Sequence, residues 1–312
     1  MVAVAQPSSN VQRMLTLRTF PAFSALAPDE LVVMAEQCTD HFFAKGEVIS
    51  KGGVPVPGLH LVVEGKVQIL RDGKPYRLMK ERESVGGIAS LTQDPRGVHA
   101  VAVEDTTTLS LTRERMEDVF EDNFAIMSAV MRVLARTLVE ARQLRGSTAG
   151  FTVEKEHAGE HRAEPLDLMD RIFFLTRTLS FSGASIESLA ELASGAQEVR
   201  YAPGDVLWDV GDPAGHFVAI HSGLVACATA NAKQEFVLGA GSTAGGMDAL
   251  AADPRWFAAT AQTPVVALRV EVADFFDLFE DNIEMSMAMM RTLAFAIERQ
   301  YEAMMAGREA KE

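Results

Sequence analysis

At 312 residues the chain has room for two domains of ordinary size, and 48% apolar with 23% charged residues is the make-up of a globular protein. Its net charge of -14 argues against a nucleic-acid-binding face and against attraction to an anionic membrane. Cys38 and Cys227 supply no disulfide framework, Met1 to Asn10 lacks the pattern of a signal peptide, and no apolar run could span a bilayer, so a cytoplasmic protein is expected.

In chain order, residues 1–17 read as a short, partly disordered lead. Residues 18–144 form a first unit, 145–168 a linker rich in glycine and charge, 169–305 a second unit, and 306–312 a tail. Each unit opens with a short helix, predicted from Pro28 to Cys38 and from Ser185 to Ser194. Glycine turns then separate short strand-like runs. Leu59 to Gly65 answers to His216 to Gly223, Val98 to Val103 to Trp256 to Gln262, and Thr107 to Leu111 to Val265 to Val270. Many short strands at this spacing predict a mainly β fold, a barrel or jelly roll. Each unit closes with a helix. Phe124, Met127, Met131, Leu134, Leu138 and Ala141 form one apolar seam; Ile283, Met287, Met290, Ala294, Ile297, Tyr301 and Met304 form the other. Spacings of three and four predict helix-to-helix pairing, within the chain as a pseudo-dimer or between copies as a homodimer.

The two units are copies. Gly86-Gly87-Ile88-Ala89, ending at Asp94-Pro95-Arg96-Gly97, returns as Gly245-Gly246-Met247-Asp248, ending at Asp253-Pro254-Arg255-Trp256. Glycine lets the backbone approach a ligand, successive amides present donors to an anion, and Arg96 or Arg255 could clasp phosphate oxygens in bidentate fashion. Pro95 and Pro254 would fix the turn that aims each arginine. The bland alternative is an exposed turn whose arginine pairs with the neighbouring aspartate.

With these segments in place, the whole repeat resembles the cyclic nucleotide-binding domain shared by the bacterial cAMP receptor protein and the regulatory subunits of protein kinase A. The resemblance implies two tandem jelly rolls, each closed by a long C-terminal helix. It implies a cassette of Gly-Glu-x-Ala-Leu followed by Pro-Arg-small-Ala, and cAMP, cGMP or another cyclic nucleotide as ligand. Gly86, Gly87, Ile88, Ala89, Arg96 and Gly97 fall on that pattern, as do Gly245, Gly246, Met247, Asp248, Arg255 and Trp256. Both copies depart from it. The glutamate that accepts the ribose 2′-hydroxyl is replaced by Gly87 and Gly246, and the small residue after the second arginine by Trp256. The phosphate half of the site persists without the sugar half. A buried arginine without an ionic neighbour is costly, so a ligand phosphate or another carboxylate must satisfy it, or it turns to water.

Other signals carry less. Gly239 to Ala244 formally fits G-x-G-x-x-A, but no long helix follows, and it reads as a loop entering the cassette. His157 and His161 lie in the charged linker without a third ligand, so no metal is expected. Asp167 with Asp170, and Glu121 with Asp122, read as paired acids at helix starts. No constellation of catalytic groups is visible, and no DNA-reading module follows Leu144 or Met305. The expectation is a non-enzymatic sensor or adaptor that takes a cyclic nucleotide-type ligand, requires no cofactor and signals through a protein partner. A ligand-independent scaffold whose cassettes are filled by Trp256 or Phe257 is the alternative.

Overall fold

The computed structural model describes residues 8–71, 73–94, 96–145, 159, 163–178, 181, 184–230 and 235–309. Pro95, the histidines at 157 and 161 and most of the linker lie outside the described residues. In the first repeat, α1 (Asn10–Leu17) and α2 (Pro28–Gln37) precede β1 (Thr39–Phe43), β2 (Val48–Ser50), β3 (Gly58–Glu64), β4 (Val67–Arg71), β5 (Lys74–Met79) and β6 (Ser84–Val85). The short α3 (Gly87–Thr92) follows, then β7 (His99–Ala102), β8 (Thr106–Thr112), α4 (Arg113–Asp122) and α5 (Phe124–Arg145). The second repeat runs in the same order: α6 (Leu168–Thr176), α7 (Ile186–Gly195), β9 (Gln197–Tyr201), β10 (Val206–Trp208), β11 (His216–Ser222), β12 (Val225–Thr229), β13 (Glu235–Leu238) and β14 (Thr243–Ala244). It ends with α8 (Gly246–Ala251), β15 (Phe257–Ala261), β16 (Val265–Glu271), α9 (Val272–Asp281) and α10 (Ile283–Glu309).

Each repeat folds into two antiparallel four-stranded sheets, ordered β1-β8-β3-β6 and β2-β7-β4-β5 in the first, β9-β16-β11-β14 and β10-β15-β12-β13 in the second. This is the expected jelly roll. Alternate residues turn inward, as the period of a strand requires. In the second repeat Val225 and Cys227, Phe236 and Leu238, Phe257, Ala259 and Ala261, and Val265 and Ala267 meet in one core with Trp208 and Trp256. In the first, Val62, Val67, Ile69, Met79, Val85 and Ala100 do the same with fewer rings. Both cysteines are buried, and burial raises both thiols well above their ordinary range, so neither is a ready nucleophile.

Two expectations change. Residues 10–17, read as part of a loose lead, form α1, started by a capping box between Ser9 and Gln12 and tied down by Arg13 on Asp40 at 2.6 Å. Glu121 and Asp122 close α4 rather than begin a helix, and the Asn123 side chain accepts from the Ile126 amide to start α5. Asp167 does cap a helix start, accepting from the Asp170 amide.

The described residues of Met1–Val133 and Ala294–Glu312 group into one unit, and those of Leu134–Leu293 into the other. Each long closing helix therefore begins in one unit and finishes in the other. The buried residues of α5, including Ile126, Met127, Met131, Leu134, Ala135, Leu138 and Val139, form a stripe wider than the predicted seam, and Val139 joins the core of the second repeat.

Both cassette helices end on a non-glycine residue in the left-handed region, Gln93 at φ 52° and Ala252 at φ 54°. That conformation costs an L-residue about 1–2 kcal/mol, partly offset by the greater freedom of an unfolded glycine. Replacing the exposed Ala252 with glycine is expected to raise stability by about 0.5 kcal/mol in urea melts.

Candidate functional site

In each cassette a two-residue strand, β6 or β14, feeds one short helix. Gly86 (φ 84°) and Gly245 (φ 79°) sit in the left-handed region at the N-caps of α3 and α8. A Cβ on Gly86 would come within 2.7 Å of the Gly58 carbonyl, and one on Gly245 would collide with the Arg255 guanidinium. The second glycines are different. Gly87 and Gly246 lie inside their helices with ordinary φ, and a Cβ there would meet only the Ser84 hydroxyl at 3.3 Å or the Thr243 hydroxyl at 3.8 Å as nearest neighbours. The first glycine of each pair is demanded by backbone and packing; the second leaves room for a side chain.

The two arginines, equivalent in sequence, have opposite fates. Arg255 is among the largest fully buried side chains. One terminal nitrogen donates to the Gly245 carbonyl at 2.9 Å and meets the Asp248 carboxylate at 3.3 Å, and the other donates to the His216 carbonyl. Its guanidinium carbon lies 4.2 Å from the centre of the Trp208 ring, a cation-π distance. Asp248 is itself buried, so the ion pair is closed to water. Burial outweighs the attraction between the partners: it pushes the Asp248 carboxyl up to about 6 and pulls the Arg255 guanidinium below its ordinary value. One carboxylate oxygen of Asp248 and Nε of Arg255 remain buried without a hydrogen bond. Asp248 thus occupies the role that an anionic guest would have, as a carboxylate supplied by the chain.

Arg96 turns outward. Its side chain is 61% exposed and it grips Asp94 with Nε at 2.8 Å and Nη2 at 2.6 Å, the exposed turn weighed in the sequence. Two substitutions account for the divergence. Position 248 carries a carboxylate where the first repeat has Ala89, and Trp208 stands where the first repeat has Ser50. Trp208 donates its indole N–H to the Phe257 carbonyl, and Ser50 donates its hydroxyl to the equivalent Val98 carbonyl, so the β-framework is served either way. Only the tryptophan adds an aromatic floor for a guanidinium. Without floor or internal carboxylate, burying Arg96 would strand a charge.

Of the remaining sequence candidates, Ala89 is buried within α3, while Gly87, Ile88, Gly246 and Met247 are half-buried. Gly97 takes φ 57° hard against the Val54 carbonyl, which closes its space to any side chain. Trp256 and Phe257 belong to the domain core, with Trp256 stacked on Phe236; Trp208 and Arg255, rather than these rings, pack against Gly245. Sequence reasoning passed over Trp208 and the His216 carbonyl; the mismatch of Trp208 with Ser50 was their available signal. It also passed over the helix contacts. Arg136 of α5 clasps Asp253 at 3.0 Å in one unit, and Glu298 of α10 accepts from Thr92 at 3.3 Å in the other. The far half of a long helix reaches each cassette.

Two tests follow from this geometry. Gly245→Ala is expected to cost at least about 2 kcal/mol, whereas Gly246→Ala, at a helical position with space, should be neutral or stabilising by about 0.5 kcal/mol; equal losses would show that the glycines share one role. The second concerns pH. The folded Asp248 carboxyl titrates at about 6, above its ordinary value near 4. The folded state therefore holds a proton that the unfolded chain releases, and the contribution of this group falls as pH rises from about 4 through about 6. The melting temperature of the wild type minus that of Asp248→Asn should decline across that window; a constant difference would contradict the assignment.

A family model described as the cyclic nucleotide-binding domain matches residues 40–123 and 198–282, together more than half of the chain. The cyclic AMP receptor protein of Thermus thermophilus is 30% identical over 126 residues, covering 39% of this chain and 58% of the relative. A CRP-like cAMP-activated global transcriptional regulator of Mycobacterium tuberculosis is 26% identical over 121 residues, covering 37% of this chain and 54% of the relative. The chain thus spans a little over half the length of these curated relatives. Among solved structures, the regulatory subunit of a cAMP-independent protein kinase A from Trypanosoma brucei aligns over 93% of this chain and 90% of its own, at 17% identity and a TM-score of 0.35. Two jelly rolls, each with a glycine-initiated cassette helix and a following arginine, coincide with the two matched segments: the chain belongs to the cyclic nucleotide-binding domain family and carries the domain twice in tandem.

Proposed function

We propose that the chain is a non-enzymatic signalling regulator with unequal halves. The first cassette takes a cyclic nucleotide or a related phosphate ligand, the second is a ligand-independent structural copy, and the signal leaves by contact with a protein partner. The observation that carries this reading is the difference in exposure of the two arginine side chains, 61% for Arg96 and 0% for Arg255. The Arg96 guanidinium is open to water, so its pairing is screened and a phosphate can compete for it at a lower cost than at a fully buried pair. Removing one partner from a buried pair costs about 3–5 kcal/mol, which a ligand at the second cassette would have to overcome. At the first cassette the loss of the ribose-binding acid at Gly87 lowers the expected affinity by one to two decades relative to a site that keeps it. The acid surplus of the chain favours a protein partner over direct DNA contact, the output that the names of the curated relatives suggest.

One observation favours the ligand-free adaptor as a second reading: each arginine already meets a carboxylate of its own chain. Calorimetry of the full chain with cAMP and with cGMP separates the two. The expected result is close to one site per chain, abolished by Arg96→Ala. Two sites, or heat that Arg96→Ala leaves unchanged, would overturn the division of labour; no heat from either nucleotide would favour the adaptor.

A further inference from the structure

Arg96 is not the only guanidinium at the mouth of the first cassette. Arg71, at the end of β4, reaches the same carboxylate oxygen of Glu302 as Arg96 does, each at 3.0 Å. One oxygen held by two guanidinium groups is how an arginine pair grips a phosphate oxygen. We propose that Arg71 and Arg96 together form a binding site for a phosphate ester and that Glu302 of α10 is its built-in occupant. The inference rests on the reading of the first cassette as the responsive one, and adds to it a second arginine, a competitor and a route outward.

The surroundings suit exchange of one anion for another. Asp94 chelates Arg96 from the other side, accepting from its backbone amide at 2.9 Å as well as from the guanidinium, and so fixes its direction. The Arg71 guanidinium carbon lies 5.3 Å from the centre of the Tyr76 ring, a cation-π distance that steadies the charged head. The remaining nearby carboxylate, Glu298, accepts from Thr92, and burial, followed by the charge of Asp94, raises its pKa. Once Glu302 leaves, Asp94 on Arg96 is the direct carboxylate contact that remains to the two guanidinium groups. Arg71 and Glu302 are about one-third exposed, so the pairing is not locked by burial.

The occupant also supplies the coupling. Glu298, Tyr301 and Glu302 lie three and four residues apart on one face of α10. Three ties hold that face: Thr92 to Glu298, the Arg77 guanidinium to the Tyr301 hydroxyl at 2.9 Å, and the two arginines to Glu302. A phosphate that takes Arg71 and Arg96 cuts the third tie and loosens the last turns of α10, a change a partner could read.

The test uses the full chain with Glu302→Gln, alone and combined with Arg71→Ala. Calorimetry at low salt takes cAMP and inorganic phosphate as separate probes, and hydrogen exchange follows residues 294–303. Glu302→Gln should tighten at least one probe about fivefold and speed exchange in that segment without ligand, and adding Arg71→Ala should reverse the gain in affinity. Unchanged affinity for both probes in Glu302→Gln, or a gain that Arg71→Ala does not touch, overturns the site. Tightening of phosphate alone keeps the site while removing the nucleotide from the proposed function. Nucleotide binding that depends on Arg96 yet ignores Glu302 does the reverse.

Discussion

Burying a guanidinium beside a glycine pair is costly unless a carboxyl and other acceptors are buried with it. Transfer of a lone charge from water to a protein interior costs several kcal/mol even after relaxation, and an arginine cannot escape by losing its proton. Every feature of the two cassettes answers that constraint. The second repeat meets it internally, with Asp248, two backbone carbonyls and the Trp208 ring. The first meets it at the surface, with Asp94 and Glu302. The chain therefore holds two solutions to one electrostatic problem on a duplicated framework.

The framework itself is indifferent to which solution is used. Positive-φ glycines start both cassette helices, left-handed residues end them, and strand registers agree in both copies apart from a bulge between β4 and β5 that β12 and β13 lack. Ser50 and Trp208 show how this works: each satisfies the carbonyl of the equivalent residue, Val98 just before β7 or Phe257 at the start of β15, so that carbonyl is paired whether the position is small or aromatic. The difference is spent entirely on the arginine. Coupled with Ala89 against Asp248, it decides whether the cassette is closed by its own side chains or left to the solvent.

Much of the fold was readable because the chain states it twice. Paired runs such as Val98 to Val103 and Trp256 to Gln262 fixed the strands, and the recurrence of glycine pairs and arginines fixed the cassettes. The helix α1 escaped because its eight residues are too few to sustain a periodic pattern, although Ser9 and Gln12 spell its capping box. The division between the arginines was less accessible. Asp248 was in view, but its role depends on Trp208, which comes from a strand distant in sequence. The site formed with Glu302 was out of reach for the same reason: periodicity shows which face of α10 carries Glu298 and Glu302, not which cassette that face meets.

The course of the two long helices has a consequence for how the protein can be divided. A cut in the segment joining the repeats would leave neither fragment with a whole unit: the first would lack the stretch from Ala294 onward, and the second would lack the stretch of α5 from Leu134. The repeats are thus copies in sequence, but neither compact unit coincides with one repeat.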